Sequence, residues 1–320
     1  HQDKDEDDFG QPIVSVSLGT LIDEALSRLY RHSERPLQVS MSGGPSDAAD
    51  TTLNLSTGDA SKISITDVIE INQEAMLVTA VDTATDILTV ARGNAGTTAS
   101  ADHLATHPVL VQPGHLRADI ARFVQRCVSG PMNVYLPYMV TGADGTDLLY
   151  RTAGKQYIEM HADTQRVLSV RHFISVTGRI IDVGGWQFEE DIPTGLITSG
   201  KALRVPSTVE NDDALIVVSV RPYAWSVVPP VESSTISLPL ASEDLPSLWA
   251  AAYAITGHEI TRLDLDQIEE WNQDAAVRQG FNIRIMRELW GEFYRRIDEA
   301  RRVQNVPRHR TFRKMPKVII

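Results

Sequence analysis

Two histidines stand four residues apart in this 320-residue chain, a spacing that metal-binding helices use. On a helix, His103 and His107 would share one face, where both imidazoles can bind one ion. However, Pro108 and the β-rich run after it argue against a helix here. No acid follows His103 where a zinc protease needs its base. We therefore expect hydrogen-bonded or surface histidines, with no metal and no cofactor.

A run of three acids, Glu189, Glu190 and Asp191, is the second candidate for chemistry. Paired carboxylates can act as general acid and base, but no His, Lys or nucleophile adjoins these in the sequence. A solvated loop is the favoured interpretation. The alternative is a carbohydrate-binding or glycan-cleaving module in which Trp186 forms the sugar platform.

The remaining signatures of catalysis are missing from the sequence. It contains no phosphate-binding glycine loop, no nucleophile elbow and no dinucleotide fingerprint. The single cysteine, Cys127, is interpreted as a small packing residue on a helix, since free cysteines are usually buried and inert. We predict that the chain has no catalytic residues and is not an enzyme.

Composition and charge indicate an acidic globular protein. Hydrophobic residues make up 42% of the chain and charged residues 22%, which is ordinary for such proteins. The net charge of −12 argues against a general nucleic-acid binder. No apolar run approaches the roughly 20 residues of a membrane span, so no membrane partner is expected. One cysteine excludes an intrachain disulfide and fits assembly in a reducing cytoplasm.

The sequence predicts four amphipathic helices, because apolar residues recur at three- and four-residue steps in four places. These helices would form the frame that positions the other elements. The predicted spans are Ser17–Arg35, Leu116–Val128, Ser242–Thr256 and Asn282–Val306. Ser17 or Thr20 is expected to cap the first helix, and Ser242 the third. Gly130-Pro131 is predicted to end the second helix and Gly257 the third.

Short β-rich runs fill the two long intervals between these helices. We predict an α+β fold in which a helical bundle forms the frame. Two antiparallel β modules, a small insertion and a β-sandwich-like or barrel-like domain, project from that frame. A long C-terminal helix with an extended tail completes the fold. The predicted parts are an acidic flexible leader (1–12), bundle helices (13–36 and 113–140), the β insertion (37–112), the β-sandwich-like domain (141–230), C-terminal helices (231–306) and a basic extended tail (307–320).

The order of these parts resembles the head-to-tail adaptor (connector or neck) proteins of long-tailed bacteriophages, in particular the actinophage-like members. The stretches that carry the resemblance are Leu18–Ala25; Thr89–Gly93 with Gly96–Ala99 and His103; Val167–Arg171 with Trp186 and Gly200–Pro206; and Asp244–Ala252 with Arg295–Arg302 and the tail. The resemblance implies a virion structural protein of the capsid–tail neck, assembled in the host cytoplasm. A tail-terminator or baseplate component is the alternative within the same class.

The resemblance also implies the partners. They are the portal protein, a head-tail stopper or tail-terminator protein, and further copies of the chain in a ring, expected to be a dodecamer. Double-stranded DNA would pass through the ring without sequence-specific binding. The basic tail is expected to order on the portal, with guanidinium groups pairing with carboxylates and apolar side chains filling pockets. The predicted portal-binding residues are Arg308, Arg310, Phe312, Arg313 and Lys314.

Overall fold

The structure is a computed structural model that describes residues 13–31, 35–43, 47–100, 103–136, 138–141, 149–150, 156–174, 179–206, 214–268 and 279–303. Within these residues the chain is mixed α+β, with helices, several antiparallel sheets and a closed six-stranded barrel. The predicted α+β class is confirmed, in that helices and antiparallel sheets occur together. The helices are α1 (Leu18–Leu29), α2 (Arg117–Cys127), α3 (Asn133–Tyr135), α4 (Leu245–Ile268) and α5 (Gln279–Val303).

Sixteen strands complete the described part of the chain. They are β1 (Ile13–Ser17), β2 (Leu37–Gly43), β3 (Thr52–Leu55), β4 (Val68–Ile71), β5 (Glu74–Asp82), β6 (Ile87–Asn94), β7 (Pro108–Val111), β8 (Tyr138–Thr141), β9 (Leu149–Tyr150), β10 (Tyr157–Glu159), β11 (Arg166–Ile174), β12 (Arg179–Asp182), β13 (Gln187–Glu189), β14 (Ala202–Arg204), β15 (Ala214–Arg221) and β16 (Thr235–Pro239).

Helix α1 forms as its sequence dictates. Ser17 caps it, because the Ser17 Oγ accepts a hydrogen bond of 3.1 Å from the Thr20 backbone N–H. Its apolar stripe is buried at every position: Leu18, Leu21, Ile22, Ala25, Leu26 and Leu29. The helix ends at Leu29, earlier than predicted. The residues before it, Ile13–Ser17, were predicted within a helical segment but form β1, which pairs antiparallel with β16.

Helices α1, α2, α4 and α5 all contribute residues to one buried hydrophobic cluster. Asp244, just before α4, joins two of its neighbours: it lies 3.6 Å from Arg28 of α1 and accepts a bond of 2.7 Å from Arg296 of α5. Aromatic rings extend the contact between α4 and α5. Trp249 and Trp290 meet edge to face at 6.2 Å, a favoured geometry for aromatic pairs.

The second helix was predicted to end at Val128, and α2 ends at Cys127; a π-helical turn (Val128–Met132) then leads into α3. The residues predicted to end and to cap the third helix are wrong. Gly257 does not end α4, which runs on to Ile268. One glycine costs a helix only about 1 kcal/mol relative to alanine, which packing elsewhere offsets. Ser242 does not cap α4, since it lies in a 3₁₀ turn and its hydroxyl donates to the Pro239 carbonyl at 3.0 Å.

The predicted β insertion is a closed barrel with strand order β2-β3-β6-β5-β4-β7, all neighbours antiparallel. Alternate side chains point inward and form their own buried cluster, including Leu53, Ile69, Met76 and Leu88. Closure leaves this sheet without an unpaired edge. The barrel is entered from α1 through β2 and left through β7 toward α2, and these two strands pair with each other.

The second β region contains two sheets. β12-β11-β15-β8 form one sheet in that order, with β9 also paired to β15, and β10-β14-β13 form the other. Residues of both sheets contribute to a third buried cluster, which includes Ile158, Leu203, Leu215 and Val217. Among the described helices, none combines the length and the apolar content needed to cross a membrane.

Candidate functional site

Glu74, the first residue of β5, is the centre of a buried polar cluster at one end of the barrel. Arg92 of β6 donates two hydrogen bonds to its carboxylate, from Nε at 2.6 Å and from Nη2 at 2.7 Å. The backbone N–H groups of Gly93 and Ser100 donate to it at 3.2 and 2.8 Å. His103 Nε2 lies 2.8 Å from it. Because an ionised carboxylate only accepts, Nε2 is the ring nitrogen that carries the hydrogen.

This cluster brings together residues from one of the stretches that carry the resemblance, Thr89–Gly93 with Gly96–Ala99 and His103. Arg92, Gly93 and His103, spread over twelve positions, converge on one carboxylate from a different strand. The left-handed backbone of Gly93 (φ 66°) brings its N–H to Glu74. Arg92 also donates to the Asp50 carbonyl at 2.8 Å, which ties in the segment before β3.

The charge state of Glu74 follows from these partners. Burial raises its pKa, but the hydrogen bonds from Arg92, His103 and Ser100 outweigh burial and lower the pKa to about 2. With five donors around it, the carboxylate has no open position for a substrate proton or an ion. The cluster therefore has a structural role: it holds the segment after β6, which contains Ser100 and His103, against the barrel.

Both predicted histidines are hydrogen-bonded, as expected. His107 Nδ1 lies 3.1 Å from Asn72 Nδ2 and also accepts from the Leu104 backbone N–H. His107 therefore caps its own turn, whereas His103 belongs to the Glu74 cluster. Within the described residues, no group of three or more His, Cys, Asp or Glu side chains is arranged to bind a metal.

Glu70 of β4 occupies the junction between the barrel and the helical bundle, and it is completely buried. Its Oε1 accepts from the backbone N–H of Ala118, in the first turn of α2, at 3.3 Å. Leu116, at the N-cap position of α2, provides no side-chain cap. A glutamate from another module thus satisfies the start of this helix, where exposed N–H groups favour an anion.

The second carboxyl oxygen of Glu70 is incompletely satisfied. Oε2 is buried and has no hydrogen-bond partner among the described residues, and the same holds for the hydroxyl of Tyr30 at the end of α1. Burial raises the pKa of Glu70 to about 8, against the opposing backbone N–H groups of Ala118 and Arg117 and the Arg117 charge. Burial likewise raises the pKa of Tyr30 to about 12, and the charge of Glu70 adds to that shift.

Arg117 connects the parts that meet here. Its Nη1 donates to Asp23 of α1 at 2.6 Å, and its Nε donates to Glu232, before β16, at 3.1 Å. A cleft of about 490 Å³ adjoins this junction, lined by Tyr30, Arg117, Asn72 and neighbouring residues of α1, β2 and β7. Glu70 is a buried carboxyl at the meeting point of two modules, with a pKa raised to about 8, and we take this junction as the candidate functional site.

The remaining predicted residues lie apart from this junction. Glu190 lies 3.6 Å from Lys201, an ion pair with one half-exposed partner. Trp186 packs against the buried cluster of the second β region. Cys127 is buried, and burial raises the pKa of its thiol far above the ordinary value, as expected of a packing residue. Arg308, Arg310, Phe312, Arg313 and Lys314 all lie outside the described residues.

Sequence reasoning missed both glutamates. Glu70 interrupts the apolar run Val68–Ile71, and Glu74 opens a strand of apolar residues. A charged residue in such a run is seldom fully buried unless it is paired, so this was the available signal. Comparison of the chain with protein-family models, with curated proteins and with solved structures finds no match.

Proposed function

We propose that this chain is a virion structural protein, a head-to-tail adaptor that forms a ring beneath the portal and links the DNA-filled capsid to the tail. The observation that supports this proposal is the construction of the frame. Helices from four separated stretches of sequence meet in one core, and both β regions are inserted between them. This is the order of parts on which the resemblance rests. The second β region would be the sandwich-like domain, with its two sheets as the layers.

A ring requires two different surfaces on each copy, because closed cyclic assemblies use heterologous contacts. The barrel (37–112) and the second β region (141–230) are the proposed opposite faces. The helical bundle would then lie between these two faces and connect them. Class averages from electron microscopy of the purified protein, alone and with portal, test this arrangement. Closed rings are expected, and isologous dimers or a monomer bound off the axis would contradict the proposal.

The net charge of −12 suits a channel through which DNA moves. Cationic contacts supply most non-specific affinity for DNA, so acids along a channel would repel phosphate and prevent a tight grip. The protein is expected to bind double-stranded DNA no more tightly than a control acidic protein in a low-salt filter-binding assay. Salt-dependent DNA binding by the isolated ring would argue against the channel role.

The portal contact is assigned to the basic tail after Pro307. Truncation after Pro307 should abolish attachment to DNA-filled, tail-less heads while circular dichroism stays unchanged. A narrower variant replaces Arg308, Arg310, Arg313 and Lys314 by alanine. The matched control replaces Arg284 and Arg287, two basic residues on α5, and should attach normally. Normal attachment of the truncated protein would overturn this assignment.

The alternatives predict other outcomes in the same assays. A tail-terminator or baseplate component would bind tails in preference to heads. A carbohydrate-binding or glycan-cleaving module would bind or cleave host glycans as a monomer or trimer. Its sugar platform would have to be Trp186, whose half-buried ring packs against the core cluster. Trp186→Ala should therefore reduce stability and leave head attachment unchanged per folded molecule.

A further inference from the structure

Polar contacts between described residues join the barrel to the bundle. The buried cluster of the barrel and that of the bundle are separate in the described part of the chain. The barrel is attached by two adjacent strands, with Leu37 of β2 opposite Val111 of β7. Across the junction, Glu70 accepts from Ala118, and Arg122 donates to the Ala95 carbonyl at 3.5 Å. Interfaces of this polar kind between modules permit relative motion.

The groups that face Glu70 come from every element around it. On the barrel side, its register partners Ala75 of β5 and Leu110 of β7 carry no charge. On the bundle side, Tyr30 of α1 faces it, and Arg117 and Asp119 of α2 act on it from the helix start.

The charge of Arg117 is already largely engaged. Asp23 and Glu232 flank its guanidinium at 2.6 and 3.1 Å, so it offers Glu70 little further compensation. A neutral carboxyl at Glu70 fits this buried position, because burial disfavours its charged form. An ionised carboxyl, by contrast, has a buried Oε2 without a donor, a state that proteins relieve by admitting water.

We propose that the junction is a pH-operated hinge, in which the proton on Glu70 keeps the barrel seated on α2 and its loss lets the barrel move away. The adjoining cleft, lined by α1, β2, β7 and Arg117, is the path by which water reaches the ionised carboxylate. The two strands that carry the barrel remain paired throughout, and only the contacts at Ala118 and Ala95 open. This hinge does not depend on ring assembly, so it can be tested on the isolated chain.

Distance measurement between two spin labels tests the hinge directly. Ala84→Cys in the exposed β5–β6 turn reports on the barrel, and Asp298→Cys on the exposed side of α5 reports on the bundle. Cys127 is fully buried and stays unlabelled. At a pH of about 6 we expect one narrow distance distribution. At about pH 9.5 at least half of the molecules should shift to a second, longer distance.

The substitution Glu70→Gln keeps the shape of the side chain and removes its titration, so it should give the narrow distribution at both pH values. The matched control is Glu288→Gln on the exposed face of α5, which should behave like the wild type. An unchanged wild-type distribution, or the same shift in Glu70→Gln, overturns the hinge. If Glu70→Gln does not fold, amide exchange of wild-type Ala118 decides. After correction for intrinsic exchange, its protection should fall at least tenfold over this pH range, and constant protection overturns the proposal.

Discussion

Glu70 and Glu74 lie four residues apart on neighbouring barrel strands, and both are buried, yet their pKa values move in opposite directions. Burial acts the same way on both carboxyls. Glu74 is surrounded by Arg92, His103 and two backbone donors, and its pKa falls to about 2. Glu70 meets backbone donors through one oxygen only, and its pKa rises to about 8. The donors around Glu74 outweigh its burial, whereas burial of Glu70 outweighs the backbone donors that it meets.

The difference also separates two tasks. The Glu74 cluster lies within one module, where both oxygens of the carboxylate have donors that hold one arrangement. Glu70 lies between two modules, where an incomplete network leaves the contact adjustable.

Arg92→Ala should have the largest effect, because it leaves the Glu74 carboxylate buried without its main partner. Side chains of this pair are only 6% and 1% exposed. We expect the free energy of unfolding at neutral pH to fall by about 4 kcal/mol, measured by urea unfolding with circular dichroism. Arg284→Ala, which breaks an exposed ion pair with Glu288, serves as the control and should cost less than about 0.5 kcal/mol. Similar losses for the two variants would contradict the structural role of the cluster.

Acid should reveal the contribution of Glu74. Its folded pKa of about 2 lies below its ordinary value of 4.5, so its stabilising effect is complete above pH 4.5 and is lost as the pH falls toward 2. From the pKa difference, the wild type should lose about 3 kcal/mol of unfolding free energy over this window. Glu74→Gln should be less stable at neutral pH and show a flatter acid dependence. Parallel curves for the two proteins would exclude the assigned pKa.

Base should reveal Glu70, with the opposite sign. Its folded pKa of about 8 lies above the ordinary 4.5, so the stabilising effect of its proton is complete below pH 4.5 and is lost as the pH rises through 8. Glu70→Gln should therefore exceed the wild type in unfolding free energy at about pH 9, by about 2 kcal/mol, because opening of the junction limits the loss. The two proteins should converge near pH 4. A variant less stable than the wild type at pH 9 would contradict this assignment.

Ser17→Ala compares an ordinary cap with the cap that Glu70 provides. Ser17 satisfies the start of α1 from the adjoining residue, so its loss should cost about 1 kcal/mol at any pH between about 5 and 9. Thermal unfolding checks this. Ser129→Ala, which removes a bond from an exposed hydroxyl to the Gln125 carbonyl, is the control and should change stability by less than about 0.5 kcal/mol. If the loss of unfolding free energy in Ser17→Ala changed with pH, the cap at Ser17 would not differ from Glu70 in the way expected.

The sequence predicted the features that local patterns encode. The apolar stripe of α1, its cap at Ser17 and the extent of the β insertion all follow from spacing within a few residues. Local patterns could not predict which distant segments pair. Examples are the pairing of β1 with β16 and the pairing of β2 with β7, which closes the barrel. Gly257 misled because α4 continues past it, and one glycine inside a helix costs only about 1 kcal/mol relative to alanine.

The candidate site was only half predictable. Arg92, Gly93 and His103 all belong to one of the stretches that carry the resemblance, but their common partner Glu74 comes from another strand. Glu70 was visible as a charge in an apolar run. Its raised pKa follows from burial in the fold, and the backbone donors that oppose this shift, Ala118 and Arg117, lie far from it in the sequence. No local pattern reports the number of hydrogen-bond donors that a folded chain brings to a carboxyl group.

Burial outweighs the donors at Glu70, and the donors outweigh burial at Glu74, so the two buried glutamates should carry different charges at neutral pH. Carbon-13 NMR titration of the glutamate side-chain carboxyls, assigned with Glu70→Gln and Glu74→Gln, measures both pKa values in one folded protein. The account predicts a midpoint near 8 for Glu70 and a midpoint near 2 for Glu74. Midpoints that both fall near the ordinary value of 4.5, or that are both raised, would contradict it.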